Sequence, residues 1–329
     1  MSTLTSTYSL LEQAKRLQNG ELLDICEVLE LETGMILQEA PWMPANDTWT
    51  NKSVRRASKP TGTKRRLNQG VPVSSSKVTE ILDVMMMIAD YSEYDKDYID
   101  SFPNPGVARM MESRATISGI GETLVSALLY DNVNEDADGM HGFAPRLTTI
   151  DNKYVVGGGG TGSDVTSIYV VTWDPRDLFM MYPKNMPSLG VTHENKGQVT
   201  LTDATTAAPS TSQYEGYRDF YQVKCGLVVR NPKFLGRYAN IETAVTATSN
   251  TFDETKLVRL LNYMKITPNT RIYCNQTIHI QAEIALMQKV NTNWSVAEGL
   301  GGTPFLRFRG IPVRKIDEQI LLNTESAIS

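Results

Sequence analysis

The chain has 329 residues, a net charge of −5 and a pI near 5.4, with 41% hydrophobic and 21% charged residues. That balance is ordinary for a globular protein, and the net charge excludes a chain-wide electrostatic grip on nucleic acid. Cys26, Cys225 and Cys274 lie far apart with no CxxC, and His141, His193 and His279 form no HxxxH or HExxH, which argues against a disulfide framework, a structural zinc site or any other metal centre.

In chain order, Tyr8 to Gln38 reads as helical from the spacing of Leu10, Leu11, Ala14 and Leu17, with a break at Asn19-Gly20. Met1 to Asp47 holds eight acids against Lys15 and Arg16 and reads as an acidic arm. Its start has neither a basic n-region nor an apolar h-region, so no secretory signal is expected and a reducing compartment fits the cysteine usage. The charge then inverts. Asn51 to Lys77 carries Lys52, Arg55, Arg56, Lys59, Lys64, Arg65, Arg66 and Lys77 with no acid. Its Thr, Ser, Val, Gly and Pro content suits extended chain and turns, so the spacing predicts a long β-hairpin with its tip near Lys59 to Thr63. An isolated two-stranded ribbon is marginal in water, so this one must lie against something, in its own chain or a neighbour.

Val78 to Ser101 turns acidic again, with seven acids against Lys96, and Ile81 to Tyr91 is apolar on both faces, as a buried strand or short helix is. The longest strongly apolar run, Val84 to Ala89, is far too short to span a membrane. Val107 to Tyr130 repeats apolar residues at three- and four-residue steps behind Pro105, which predicts a helix about 36 Å long. Ser167 to Trp173 reads as a strand with Leu178 to Tyr182 as its return partner, and Thr200 to Gln213 as a surface loop. Tyr214 to Ala239 reads as an extended ribbon. Glu254 to Met264 and Thr277 to Val290 read as helices, Arg271 to Cys274 as a strand, and Phe305 to Ile316 as a hairpin around Gly310.

The tract Gly157 to Gly162 formally contains GxGxxG, but a phosphate cradle needs a helix N-terminus after it, and here a strand follows. No GxSxG surrounds a serine, and the cysteines of the two strands read as small buried hydrophobes. His141 beside Asp136 and Asp138 offers one imidazole in a loop and reads as a solvated acidic turn; Glu93 and Asp95 read as a solvated face. No arrangement makes an active site. The basic hairpin could contact phosphates, yet it has no aromatic partner beyond Trp49 for stacking bases. Contact with acidic protein surface is favoured, because the chain itself supplies acidic stretches. A basic arm between acidic segments can pair head-to-tail with a copy, a contact that closes into rings.

Several blocks in one order carry a family resemblance: GMILQEAPWMPAND (34–47), KRRLNQGVPVSSSKV (64–78), YSEYDKDYID (91–100), GGGGTGSDVTSIYVVTW (157–173), MYPKN (181–185), GQVTLTDA (197–204), YEGYRDFYQVKCGLVVRN (214–231) and FRGIPVRKIDEQILLNTES (308–326). Over nearly its whole length the chain resembles the major capsid proteins of short-tailed double-stranded DNA bacteriophages, with the Hong Kong 97-like α+β fold. The resemblance implies an N-arm at 1–47, an E-loop at 48–78 and a peripheral domain at 79–138 with its spine helix at 107–130. It further implies an axial domain in two parts, 139–212 and 254–329, with a peripheral β-ribbon at 213–253 between them. Because the ribbon precedes GIPVRK (310–315), a permuted connectivity is expected. The implied function is self-assembly into pentamers and hexamers of an icosahedral head, without catalysis or cofactor. Partners would be copies of the chain, a separate scaffolding protein (no long N-terminal extension could serve as one), a portal, a decoration or cement protein, and packaged DNA held nonspecifically; no membrane is implied. The protein would sit in the virion shell after assembly in the bacterial cytoplasm. Lys52, Arg55, Arg56, Lys64, Arg65 and Arg66 are the candidate intersubunit cations of the E-loop. Cross-linking positions cannot be carried over. A tail or accessory shell protein, and a nucleotide-binding enzyme on the glycine tract, are the alternatives.

Overall fold

Val165–Thr172 is buried at every position, and the largest sheet grows outward from it. The computed structural model describes residues 17–18, 21–22, 34–186, 191–202, 213–243, 250–287, 294–298 and 304–329. In chain order the first elements are β1 (Leu17–Gln18), β2 (Glu21–Leu22), α1 (Gly34–Glu39), β3 (Trp42–Pro44), β4 (Thr50–Ser58), β5 (Lys77–Val84) and β6 (Met86–Asp95). Then come α2 (Lys96–Asp100), α3 (Pro105–Tyr130), β7 (Val155–Gly157), β8 (Val165–Thr172), β9 (Leu178–Tyr182), β10 (Val191–Thr202) and β11 (Gln213–Val229). The last are β12 (Leu235–Glu242), α4 (Glu254–Tyr263), β13 (Thr270–Asn275), α5 (Gln276–Met287), β14 (Trp294–Glu298), β15 (Pro304–Phe308) and β16 (Ile311–Ile316). The chain divides into two compact units: Met87–Leu124 with Gly190–Lys224, and Glu32–Met86 with Val125–Leu189 and Cys225–Ser329.

In the larger unit the seven-stranded sheet runs β14-β15-β16-β13-β8-β12-β7. A strand buried on both faces reads as a continuous apolar run rather than an alternation, and β8 is such a strand. On one face Ile168 and Val170 meet Leu257, Leu260 and Leu261 of α4 and Ile278 and Ala282 of α5. Asp253 caps α4 by accepting from the Thr255 amide, and the Asn275 side chain accepts from Ile278 at the start of α5. On the other face Tyr169 and Trp173 meet the ring of Phe143, and the Trp173 indole donates to the Tyr273 hydroxyl at 2.9 Å. The C-terminal segment is stitched onto this sheet. The Glu325 amide donates to the Val165 carbonyl and the Ala327 amide to that of Gly162, while Asn240 exchanges two hydrogen bonds with the backbone of Ile328. The Glu325 carboxylate lies inside, taking the Arg237 guanidinium at 2.8 Å, the Tyr130 hydroxyl at 2.6 Å and the Ser167 hydroxyl. The same unit holds the parallel pairing of β3 with β9 and the antiparallel pairing of β9 with the end of β11.

In the smaller unit β10 pairs along the first part of β11, with a bulge at Asn195/Gly197, and β11 also pairs with β6. Tyr94, Tyr98, Ile99, Phe102 and Ala108 form its apolar core. Arg109 on α3 bonds Asp219 at 2.9 Å and lies over the Tyr217 ring.

The long helix is present at Pro105–Tyr130, and the helices near 254 and 277 and the hairpin around Gly310 are where the periodicity puts them. Four expectations change. Leu178–Tyr182 turns back after Trp173 but pairs with β3 and β11, because β12 and β13 already occupy both edges of β8. Tyr214 to Ala239 is not one ribbon: β11 ends at Val229, a turn at Pro232–Phe234 follows, and β12 enters the seven-stranded sheet beside β8. Ile81 to Tyr91 is neither a single strand nor a helix but β5 and β6, parted at buried Met85. Leu17–Gln18 pairs with Glu21–Leu22 as strand rather than helix; most of the expected helix from Tyr8 lies outside the described residues, as does the middle of the loop expected at Thr200 to Gln213.

Candidate assembly surface

The basic hairpin is β4 and β5, which pair with each other and with no other described strand. The ladder runs from Thr50 opposite Val84 to Ser58 opposite Lys77, so it reaches further than the expected end at Val78, and its connection spans Lys59 to Ser76. Side chains alternate across a ribbon. One face therefore carries Asn51, Ser53, Arg55, Ile81 and Asp83, and the other Lys52, Val54, Arg56, Val78, Glu80 and Leu82.

The polarity of these faces is inverted. Ser53 and Asp83 are 3% and 2% exposed, whereas Val54 and Val78 are 65% and 61% exposed. A ribbon solvated on one side normally turns its apolar row inward. Here the polar face is covered, and exposed Val54, Val78 and Leu82 lie on the open one among charged residues. Every residue from Arg56 to Glu80 is exposed, Leu67, Val71 and Val73 among them. The open face thus mixes exposed apolar side chains with charged ones, Val54 opposite Glu80, Val78 opposite Arg56 and Leu82 opposite Lys52.

Polar contacts hold the root. Arg146, on the turn Ala144–Arg146, donates through Nη2 to Asp83 Oδ1 at 2.8 Å and to the Leu227 carbonyl at 3.3 Å, and through Nε to the His141 carbonyl at 3.0 Å. Arg55 donates through Nε to the Arg230 carbonyl at 2.9 Å and through Nη2 to that of Val229 at 3.2 Å. The Asn46 side chain brackets the Lys52 peptide, accepting from its amide and donating to its carbonyl. Burial pulls the Arg55 guanidinium below its ordinary value against the pull of Asp83, and burial with the neighbouring Arg146 does the same to His141.

Of the six expected intersubunit cations, Lys52, Arg56, Lys64 and Arg66 are exposed. Arg65 donates to the Gln69 carbonyl in a local turn. Arg55 sits on the covered face of the ribbon and donates through Nε and Nη2 to two backbone carbonyls of its own chain. Sequence reasoning missed Asp83 and Arg146, which it read as one acid of a run and an unremarked loop residue. The alternation of Asn51, Ser53 and Arg55 with Lys52, Val54 and Arg56 held the signal. It missed Glu39 as well, counting it only among the acids of the arm. Glu39 Oε1 takes Arg271 at 2.9 Å and Arg314 at 2.8 Å, and Oε2 takes the Tyr273 hydroxyl at 2.7 Å, which docks α1 on β13 and β16.

The glycine tract is a packing device. The Gly158 and Gly160 amides donate to the Ala239 and Asn240 carbonyls, and a Cβ on Gly158 would lie 2.2 Å from the Asn240 oxygen. Strand β8 follows the tract, and its backbone donors face a neighbouring strand rather than an anion. Cys225 and Cys274 are buried, and burial pushes each thiol up to about 12, which keeps them protonated and unreactive. Glu93 and Asp95 are not merely a solvated face: Glu93 pairs with Arg218 and Asp95 caps α2. No group of three or more His, Cys, Asp or Glu suited to a metal ion is found among the described residues.

A mixed α+β subunit with a long helix, a large mixed sheet and a ribbon with one face left open has the architecture of a shell-forming protein, the Hong Kong 97-like phage capsid fold. A chain in a near-atomic structure of bacteriophage epsilon15 superposes with a TM-score of 0.74 at 23% identity, covering 100% of this chain and 99% of that one. A chain of the bacteriophage JBD30 capsid gives a TM-score of 0.43 at 13% identity over 97% and 96%. No curated protein matches the sequence. The family model for major capsid protein GP7 matches residues 17–329, and the chain belongs to that family. It is a major capsid protein, a subunit of the virion shell.

Proposed function

We propose that the chain assembles without catalysis into pentamers and hexamers of an icosahedral head around double-stranded DNA, and that the β4–β5 ribbon is the arm that ties one copy to the next. The inverted ribbon carries this reading. Its open face sets Val54, Val78 and Leu82 among Lys52, Arg56 and Glu80, and its extended tip holds Lys64, Arg65 and Arg66 with no acid between Asn51 and Lys77. An exposed ion pair contributes only ~0–1 kcal/mol. Repeated around a closed shell, many such contacts sum through multivalency. Assembly is proposed to take place in the bacterial cytoplasm on a separate scaffolding protein, with a portal and a decoration protein as further partners and packaged DNA held nonspecifically.

Electron microscopy of the purified chain, alone and with its scaffold, tests the reading. Closed icosahedral shells are expected; rings or tubes of constant width would point to a tail role and overturn it. The quadruple variant Lys52→Glu, Arg56→Glu, Lys64→Glu, Arg66→Glu should shift subunit stability by no more than about 0.5 kcal/mol per site, since these surface positions make no buried contact. It should form no shells.

A further inference from the structure

Resting on the reading of the ribbon as the assembly arm, we infer that Asp83, Arg146 and Arg55 are positioning residues, a polar clamp that fixes the angle at which the arm leaves its own subunit. A hydrophobic anchor is slack about angle, because apolar burial has no direction. The ribbon has almost none: its covered face offers Asn51, Ser53, Arg55, Asp83 and only half-covered Ile81. What joins that face to the subunit is directional. Arg146 ties β5 to the loop at His141 and to β11 at Leu227, and Arg55 ties β4 to β11 at Val229 and to Arg230 just beyond it. Two planar guanidinium forks, one on each side of the ribbon, set an orientation as a pair of brackets does.

The clamp is incomplete, which separates it from a structural core network. Asp83 Oδ2 and Ser53 Oγ are buried with no hydrogen-bond partner. Only Arg146 bonds the carboxylate, with Arg55 close enough to feel its charge, and half-buried His141 is also close enough to feel the charges of Arg146 and Asp83. A fully satisfied network resists any change of arrangement, whereas one with idle acceptors holds its pose by a smaller margin.

The clamp is tested by hydrogen exchange on the free subunit. In Asp83→Asn the ladder amides of β4 and β5 should exchange roughly 10- to 100-fold faster, the factor that goes with one lost charge-assisted hydrogen bond. Amides of β8 and β12 in the same molecule should keep wild-type protection. Arg146→Lys, which keeps a charge for Asp83 but not the fork, should give a smaller acceleration. Should Asp83→Asn fold poorly, Arg55→Gln removes the other bracket at a half-exposed site and is read in the same way. Wild-type exchange in the ribbon would overturn the inference, and so would uniform acceleration throughout the larger unit, which marks a merely structural role. In assembly reactions the clamp variants should close shells of mixed diameter; uniform shells from a loosened ribbon would also overturn it. The exchange result does not depend on assembly, so a wild-type chain that closes no shells would defeat the reading of the arm while leaving the clamp standing.

Discussion

The larger unit contains two arginine–carboxylate pairs of the same length, 2.8 Å, one fully buried and one partly exposed at its arginine, with opposite surroundings. Around Arg237 and Glu325 both carboxylate oxygens are used, although the Tyr169 hydroxyl beside them is buried without a partner. Glu325 Oε1 takes Tyr130, Oε2 takes Arg237 and Ser167, and Arg237 also reaches the Leu147 carbonyl. Around Arg146 and Asp83 one carboxylate oxygen and one hydroxyl are idle. The first pair lies against a strand buried on both faces, the second beneath a ribbon with one face open. The charge chemistry is shared, so the difference lies in completeness and setting. A carboxylate engaged at both oxygens inside a sheet holds the fold, and one engaged at a single oxygen under an arm holds a pose.

The comparison is broken most directly at Glu325. Glu325→Ala strips a buried guanidinium of its partner, and removing one member of a buried pair costs about 3–5 kcal/mol. It also frees the segment whose backbone is stitched to Val165 and Gly162. Chemical denaturation should show that loss. Asp83→Asn should cost less than half as much, because part of its surroundings is already unsatisfied. Equal losses would mean that both pairs are core elements and that the contrast fails.

The strands and helices were legible wherever a single period or residue run decided them. The three- and four-residue steps from Val107 gave the long helix, and the Val- and Tyr-rich run after Asp164 gave β8. The ribbon was legible from charge and residue type together. Partnership was not. Leu178–Tyr182 looked like the return of β8, but edges already filled by β12 and β13, from far along the chain, sent it elsewhere. Arg146 and Asp83 are 63 positions apart, and Glu39 and Arg314 are 275 apart. No local pattern encodes such pairings. Arg55 shows the same limit: as one cation of eight it carried no sign of its bonds to the carbonyls of Val229 and Arg230, which lie 174 and 175 positions away.

The open face of the ribbon sharpens the contrast from the other side. Val54, Val78 and Leu82 are more than half exposed, so the triple change Val54→Ser, Val78→Ser, Leu82→Ser removes little buried area. Subunit stability should move by no more than about 0.5 kcal/mol per site in denaturant unfolding, while shell yield falls sharply. A stability loss of several kcal/mol with normal shells would show that the row is covered within the subunit and does not serve assembly.

The smallest expected effect is a pH dependence confined to the clamp. His141 sits half-buried beside Arg146, with Asp83 as the nearest opposing charge, and burial followed by Arg146 lowers it from its ordinary value of 6.5. The folded state then takes up its proton less readily than the unfolded chain does. This contribution to stability is whole above about pH 6.5 and shrinks as the pH falls from there toward the lowered folded value. Charging His141 adds a cation beside the Arg146–Asp83 pair at the root of the ribbon. Between pH 7 and pH 5, in a range set by that ordinary value, exchange in β4 and β5 should accelerate after correction for the intrinsic rate. β8 and β12, where the Arg237–Glu325 network has no histidine among its partners, should stay flat across the same range. His141→Gln should remove the slope in the ribbon and leave the sheet as it was. If the slope survives that substitution, the imidazole is not its source, and the acid response belongs to another group of the root.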